Sequence, residues 1–420
     1  MESQERKPMK QKKQKILYHI SRWYEGTAYK NINIMKDNFG GIIIKDNVQE
    51  VRQYIEEEHP DIMVIRGDTR PDYKIAIKYK IPYLLIENDI NSLRRGITDE
   101  LTRQERERIE NASAMILTSE EHAKYLIKES KDNGWELPYF KVIHTRPLKK
   151  DIEGIEPKKK LKGLNLVYAG GIMPGWERRK QPFGYRCYHE IFTQFIKAGW
   201  NVHIYSASYN TGKLSEYQGI GCRVYENLPY KALLQEMTRY TAGFHGYNQT
   251  GVPKLAYKYT QMCVGNKIWD YLAAGIPTIG FQGGKGMRIY KDKWGIVIKD
   301  LEENTIKKIP EELEKLNITD QMREENVMDK DIGKYKKLIK TVMKDVENKE
   351  KMVYYLPEHP IKTKDNVILK NRIRVRNKGA RQIYRGGYIF PAGETSGELV
   401  INMRTFREIK AHVSLIIEMV

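Results

Sequence analysis

Residues 265–279 have the sequence Gly265-Asn266-Lys267-Ile268-Trp269-Asp270-Tyr271-Leu272-Ala273-Ala274-Gly275-Ile276-Pro277-Thr278-Ile279. The pattern predicts a loop, a short helix and a buried strand. Glycine suits the left-handed position that ends a helix, so Gly275 marks its end, and Pro277 cannot continue it. The two alanines before Gly275 leave one side of the helix thin, which allows close backbone approach.

The predicted helix has an apolar face and a polar face. Ile268 and Leu272 are four residues apart and are expected to face the interior. Asn266 and Asp270 have the same spacing and share another face. A polar face at the start of a thin-walled helix predicts a nucleotide site.

Apolar runs separated by helical patterns extend to both sides of this stretch. They occupy 16–20, 41–44, 61–65, 81–86, 114–118 and 140–144, then 164–169, 201–205, 222–225, 242–245 and 295–298. Continuous apolar strands that alternate with helices form parallel sheets covered on both faces. The sequence therefore predicts an α/β fold with two Rossmann-like domains.

The domain limits follow from changes in composition. Residues 1–15 predict a disordered leader, 16–150 the first domain, 163–350 the second, and 356–420 a small β-rich domain. The charged segment between the first two contains Pro157 and is expected to be a linker. Ligands of such sheets bind outside the carboxyl ends of the strands, so we expect the site between the two domains.

Composition restricts the class of protein. A chain of 420 residues is too long for one ordinary core. Its three cysteines, at 187, 222 and 263, lack paired spacing and predict no disulfide framework, which favours a cytoplasmic location. No apolar run approaches the roughly 20 residues of a transmembrane helix, and the leader lacks the apolar core of a signal peptide.

The chain is strongly basic. Its 73 Lys+Arg against 54 Asp+Glu give a net charge of +19. Such a charge attracts polyanions, including nucleic acid, anionic membrane surfaces and nucleotide phosphates. Solvated lysines on exposed faces are the favoured explanation for much of the excess, so charge alone selects no partner.

The motifs in 164–280 resemble those of GT-B glycosyltransferases, specifically the retaining group 1, family 4-like enzymes. The resemblance is carried by the 265–279 stretch, by Gly170-Gly171-Ile172-Met173-Pro174 after an apolar strand, by 182–185 (Pro-Phe-Gly-Tyr), and by 228–234 (Leu-Pro-Tyr-Lys-Ala-Leu-Leu). It implies the GT-B arrangement, with an acceptor domain followed by a nucleotide-sugar domain. A UDP-sugar is the expected co-substrate, and no cofactor or metal is expected.

The resemblance also implies a set of donor-binding residues. Asp270 would accept hydrogen bonds from both ribose hydroxyls, and glycines after the strand would let backbone N–H groups approach a diphosphate. A basic residue past the glycine loop would neutralise that diphosphate, and the sequence does not choose among the three candidates. The expected donor-binding residues are Gly170, Gly171, Arg179, Lys180, Arg186, Tyr230, Tyr247, Asn266, Lys267 and Asp270.

The sequence departs from the family pattern at three positions. Most retaining enzymes of this kind carry a glutamate where this chain has Met262, and often histidines where it has Arg66 and Asn88. These departures leave the donor-sugar contacts and the catalytic base open. The catalytic candidates lie at strand ends of the first domain: Asp89, Asp68 and Arg66. A carboxylate in such a position could orient an acceptor hydroxyl or take its proton.

Three functions remain open from the sequence. The first is transfer of a sugar from a nucleotide-sugar to an acceptor hydroxyl, such as an envelope glycan. The second is modification of DNA that carries hydroxymethylated bases; alternating arginines at 372, 374 and 376 predict a polyanion-binding stripe, or an edge strand protected by charge. The third is a catalytically inactive glycan- or nucleic-acid-binding protein on the same scaffold.

Overall fold

The computed structural model describes residues 15–20, 28–45, 47–67, 72–96, 98–173, 183–206, 214–354, 361–362 and 368–369. Within these residues the first part of the chain alternates strands and helices: β1 (Ile16–Ile20), α1 (Ala28–Phe39), β2 (Ile42–Lys45), α2 (Val48–Glu58), β3 (Ile62–Arg66), α3 (Asp72–Lys78), β4 (Tyr83–Glu87), α4 (Asn91–Arg95), α5 (Asp99–Glu110), β5 (Ala114–Leu117), α6 (Glu120–Asp132), β6 (Tyr139–Val142) and α7 (Lys149–Ile152).

The second part repeats the alternation: β7 (Asn165–Ala169), α8 (His189–Lys197), β8 (Asn201–Ser206), α9 (Ser215–Gly219), β9 (Arg223–Glu226), α10 (Tyr230–Met237), β10 (Ala242–Gly246), α11 (Lys254–Met262), α12 (Lys267–Ala273), β11 (Thr278–Phe281), β12 (Gly295–Ile298), α13 (Glu303–Lys307), α14 (Ile309–Glu314), α15 (Asp320–Glu325) and α16 (Ile332–Tyr354). Single 3-10 turns lie at Gly184–Arg186, Lys285–Ile289 and Met328–Asp331.

Each part of the chain forms one parallel sheet of six strands. The first has the order β2-β1-β3-β4-β5-β6 and the second the order β12-β11-β10-β7-β8-β9. The inner strands of both sheets are buried along nearly their whole length, which explains their continuous apolar runs, whereas the edge strands β2, β6 and β9 are more exposed. The predicted α/β class with two Rossmann-like domains is confirmed.

The stretch at 265–279 folds as the sequence predicts. Helix α12 buries Ile268 and Leu272, and Gly275 follows it with φ +68°, a left-handed conformation that favours glycine. Strand β11 then pairs with β10, in register Gly243 with Thr278. This arrangement places the polar side of α12 beside the carboxyl end of β7.

The last long helix returns to the first sheet. Side chains of α16, among them Tyr335, Leu338 and Val342, are buried in a cluster with residues of β1, β3, β4 and β5. The Tyr335 hydroxyl donates to Asn31 Oδ1 at 2.6 Å. At about 1.5–3 kcal/mol for each buried large apolar side chain, these contacts hold α16 against the first sheet.

Two short strands lie beyond α16. Ile361–Lys362 (β13) and Ile368–Leu369 (β14) pair in antiparallel fashion. The rest of the β-rich domain expected at 356–420 falls outside the described residues, as does nearly all of the leader expected at 1–15. Both stay predictions, as do the limits 16–150 and 163–350.

No helix in the described part of the chain has the length and apolar character that crossing a membrane requires.

Candidate functional site

Two cations converge on the glycine loop that follows β7. Gly170 has φ +144°, and a β-carbon there would lie 3.4 Å from Lys267 Nζ. A β-carbon on Gly171 would lie 2.8 Å from Arg186 Nη1, closer than real β-carbons come. The backbone conformation of Gly170 favours glycine, and a β-carbon on Gly171 would displace the Arg186 guanidinium from its present position.

Neither cation has a carboxylate partner among the residues that the structure describes. Lys267 Nζ instead lies 4.1 Å from the centre of the Tyr168 ring, whose hydroxyl donates to Gly171 O at 2.6 Å. The Arg186 guanidinium lies 5.5 Å from the Tyr185 ring centre. Partly buried cations are usually paired, so two without acid partners beside a glycine loop are suited to a diphosphate.

Asp270, the expected ribose carboxylate, lies at the contact between the two domains. Its Oδ1 accepts from the Tyr230 hydroxyl at 2.5 Å and from Lys30 Nζ at 3.0 Å. Tyr230 begins α10, whereas Lys30 lies on α1 of the first domain. Burial, and then the Asp270 charge, raise the pKa of Tyr230 well above its usual value, so Tyr230 remains a hydrogen-bond donor.

Two other expected donor-binding residues have mainly structural contacts. The Asn266 carbonyl accepts from the N–H groups of Trp269 and Asp270, which begins α12. Tyr247 is 9% exposed, and its ring centre lies 5.5 Å from that of Tyr185. Tyr247 directly follows β10, and its N–H donates to Phe281 O.

Asp89 is held by both domains. Its Oδ2 accepts from Arg94 Nη1 at 2.5 Å, and its Oδ1 from the hydroxyl of Tyr259 on α11. Burial raises the pKa of Asp89, but Arg94, the Tyr259 hydroxyl and Arg66 outweigh it and lower that pKa to about 2. A carboxylate this acidic is a poor proton acceptor near neutral pH, so Asp89 is better suited to orient groups than to act as a base.

Arg66 and Met262 occupy the positions where the sequence departs from the family pattern. Arg66 is 9% exposed at the end of β3, and with the Asn88 amide turned to accept, its Nε lies 3.0 Å from the amide oxygen. Met262 is buried in a cluster shared by both domains, and its carbonyl accepts from Ser119 Oγ at 3.0 Å. Met262 therefore supports the interdomain contact at the position where the family places a carboxylate.

Glu87, Arg108 and Glu105 form a buried ionic triad next to the loop that carries Asp89. Arg108 donates to both carboxylate oxygens of Glu87, at 3.0 and 3.1 Å, and lies 3.9 Å from Glu105. Glu105 in turn accepts from the Asn91 N–H and the Ser92 hydroxyl, which fixes the start of α4. One guanidinium faces two buried carboxyls, and burial, despite Arg108, raises the pKa of Glu87 to about 8.

This triad predicts a pH dependence of folding stability. The pKa of this carboxyl is about 8 in the folded protein, against an ordinary value of 4.5. Its contribution to the free energy of unfolding is therefore complete below pH 4.5 and is lost as the pH rises through 8. We expect the free energy of unfolding of the wild type to fall by a few kcal/mol more than that of Glu87→Gln between about pH 5 and pH 8.5. Urea titrations at both values measure it, with Glu314→Gln, an exposed change, as the control. Equal losses in wild type and Glu87→Gln would contradict the prediction.

Several candidates fall outside the described residues: Asp68, Arg179, Lys180, Arg372, Arg374 and Arg376. Within the described ranges, no group of three His, Cys, Asp or Glu side chains could hold a metal ion. The expectation that no metal is needed stays a prediction.

Sequence reasoning missed three residues of this region. Lys30, Arg94 and Tyr259 lie on α1, α4 and α11, which the apolar runs did not identify as helices. Lys30 and Tyr259 meet partners 240 and 170 residues away in the chain. No local sequence pattern reveals contacts between residues so far apart in the chain.

Among known proteins, the similarities of this chain are to solved structures at low identity. No family model matches the chain, and no curated protein matches it. Similar solved structures include HepE from Anabaena in complex with UDP-glucose, at 12% identity and a TM-score of 0.48 over 80% of this chain and 99% of that chain. An alpha-glucosyltransferase in complex with UDP-glucose and DNA containing an abasic site has 13% identity and a TM-score of 0.46, over 71% of this chain and 89% of that chain.

A chain of the GtfA/B complex is similar at 12% identity and a TM-score of 0.43, over 71% of this chain. The match spans 61% of the GtfA/B chain, which is less than two thirds of its length. Glycosyltransferases, which the sequence motifs resemble, thus also stand among the similar solved structures. The UDP-glucose and the DNA in those structures are ligands of those proteins.

Proposed function

We propose that this protein is a glycosyltransferase that moves a sugar from a nucleotide-sugar, with a UDP-sugar as the expected donor, to a hydroxyl of an acceptor. One observation carries the proposal: Arg186 and Lys267 meet at Gly170 and Gly171 without a carboxylate partner in the described chain. The motifs that resemble GT-B glycosyltransferases support it, because the resemblance implies a diphosphate-binding role for this loop.

The chemistry follows from where negative charge develops. The bond between the anomeric carbon and the diphosphate oxygen breaks, the acceptor oxygen forms the new bond, and the proton of the acceptor hydroxyl passes to an oxygen of the departing diphosphate. Arg186 and Lys267 neutralise the diphosphate as it leaves, which is the largest electrostatic contribution available in this site. Asp270 accepts hydrogen bonds from the ribose hydroxyls, and Asp89 with Arg94 lines the acceptor side. The proposed acceptor is an envelope or lipid-linked glycan.

A thermal-shift panel with UDP-, GDP-, ADP- and CMP-sugars tests the proposal. We expect one nucleotide class to raise the melting temperature of the wild type, and slow release of its diphosphate to accompany this. Asp270→Asn should lose most of that shift, because the amide oxygen would stay with Tyr230 and Lys30 and the NH2 group in place of Oδ2 donates and cannot accept from the ribose hydroxyls. Asp320→Asn, which changes an exposed aspartate on α15, is the matched control.

Three outcomes separate the open functions. No response to any donor would overturn the proposal and favour a binding protein. Donor binding with no transfer or hydrolysis would indicate an inactive scaffold. Salt-sensitive binding of duplex DNA would favour the DNA acceptor over the glycan. The panel is run with and without EDTA, since a loss of turnover with EDTA would contradict the expected independence of metal.

A further inference from the structure

Lys30 joins the first domain to the expected ribose site. The side chain is 5% exposed, and its Nζ donates to the Tyr230 hydroxyl at 2.7 Å and to Asp270 Oδ1 at 3.0 Å. The same ammonium lies 4.0 Å from the centre of the Tyr230 ring. Helix α1 therefore contributes a buried cation to a site whose other residues lie on α10 and α12.

Both contacts to Asp270 use the same carboxylate oxygen. Tyr230 and Lys30 donate to Oδ1, and no described residue donates to Oδ2. A carboxylate offers about four lone-pair positions, of which these contacts occupy two. Oδ2 is left for a ligand, and the Asp270 side chain keeps 17% of its surface exposed.

Charge balance gives Lys30 a second effect. Asp151, on α7, is near enough to feel both charges: burial raises its pKa, the Leu148 N–H, Lys30 and Lys150 lower it, and Asp270 raises it. Lys30 therefore acts electrostatically on two carboxyls, the second of which it shares with Lys150. Without Lys30, Asp270 would be partly buried with no cation beside it in the described chain, and its side chain would turn toward solvent.

We propose that Lys30 is a positioning residue for the nucleotide ribose: it holds Asp270 through Oδ1, compensates its charge and leaves Oδ2 for the ribose hydroxyls. The inference rests on the proposed function, which gives Asp270 its ribose contact. It adds that the donor site of the second domain is completed by the first domain. Donor affinity and closure of the two domains are then coupled, because separating the domains removes Lys30 from Asp270.

The test compares nucleotides with and without ribose hydroxyls. Calorimetric titrations measure the affinities of UDP and 2′,3′-dideoxy-UDP, or of the corresponding pair if the panel selects another base. We expect the wild type to prefer the ribonucleotide by roughly 10–100-fold, which is the range for hydrogen bonds to a charged group. In Lys30→Met this preference should fall to a few-fold, and Lys30→Arg should restore part of it.

The ratio of the two affinities is an internal control, because partial unfolding lowers both equally. Lys36→Met makes the same change at an exposed position of α1 and should keep the ratio of the wild type. An unchanged ratio in Lys30→Met, with UDP still bound, would overturn the role of Lys30 alone. Absence of nucleotide binding in the wild type would overturn the proposed function as well as this inference.

Discussion

Removing either cation at the glycine loop should nearly abolish turnover. Arg186→Gln and Lys267→Met are each expected to lower kcat/KM for the sugar nucleotide by about 10²–10³-fold, the range measured when one preorganised donor to a developing anion is lost. The physical reason is that neither cation has a carboxylate partner in the described chain, so each is free to act on the leaving diphosphate. Steady-state kinetics with the donor that the panel identifies measure the effect.

A binding measurement separates this role from a loss of structure. Affinity for UDP should fall strongly in both variants, whereas affinity for uridine should stay close to that of the wild type, because uridine carries no phosphate charge. Arg223→Gln removes an arginine from the exposed face of β9 and should leave both affinities unchanged. If UDP and uridine weaken in parallel, the two cations do not bind the diphosphate.

The fold was predictable because its signals are local. Strands such as β3 and β4 are buried on both faces, so each is a continuous apolar run that the chain displays without its neighbours. Gly275 is also recognisable from the local sequence, because helices commonly end at a glycine in the left-handed conformation that this residue adopts. The pattern of α16, in contrast, shows that one face is buried without showing that it packs on the first sheet.

The candidate site was predictable only in part, for the same reason. Gly170, Gly171 and Asp270 lie in recognisable local motifs, and the structure brings the glycines together with Lys267 and Arg186. The interdomain contacts pair residues that are distant in sequence, such as Lys30 with Asp270. Only tertiary structure shows that Asp89 is held by Arg94 and Tyr259, which lowers its basicity.

Loss of Arg108 should cause the largest change in folding stability. Arg108→Met leaves Glu87 and Glu105 buried without their shared cation, and removing one partner of a buried ion pair typically costs about 3–5 kcal/mol. Arg103→Met, on the same helix, breaks an exposed pair with Glu100 and should cost about 1 kcal/mol or less. Urea titration near pH 7 measures both losses as changes in the free energy of unfolding.

Protonation and a second substitution test the cause of that loss. The destabilisation by Arg108→Met should be larger near about pH 9 than near about pH 5, because Glu87, whose pKa is about 8 beside Arg108, needs the cation only once it is ionised. The double variant Arg108→Met/Glu87→Gln should recover part of the stability near pH 7, since it buries one ionisable carboxyl fewer. A loss that is the same at both pH values and in the double variant would indicate missing side-chain volume. Because Glu105 holds Asn91 and Ser92, we also expect the triad to fix the loop that carries Asp89.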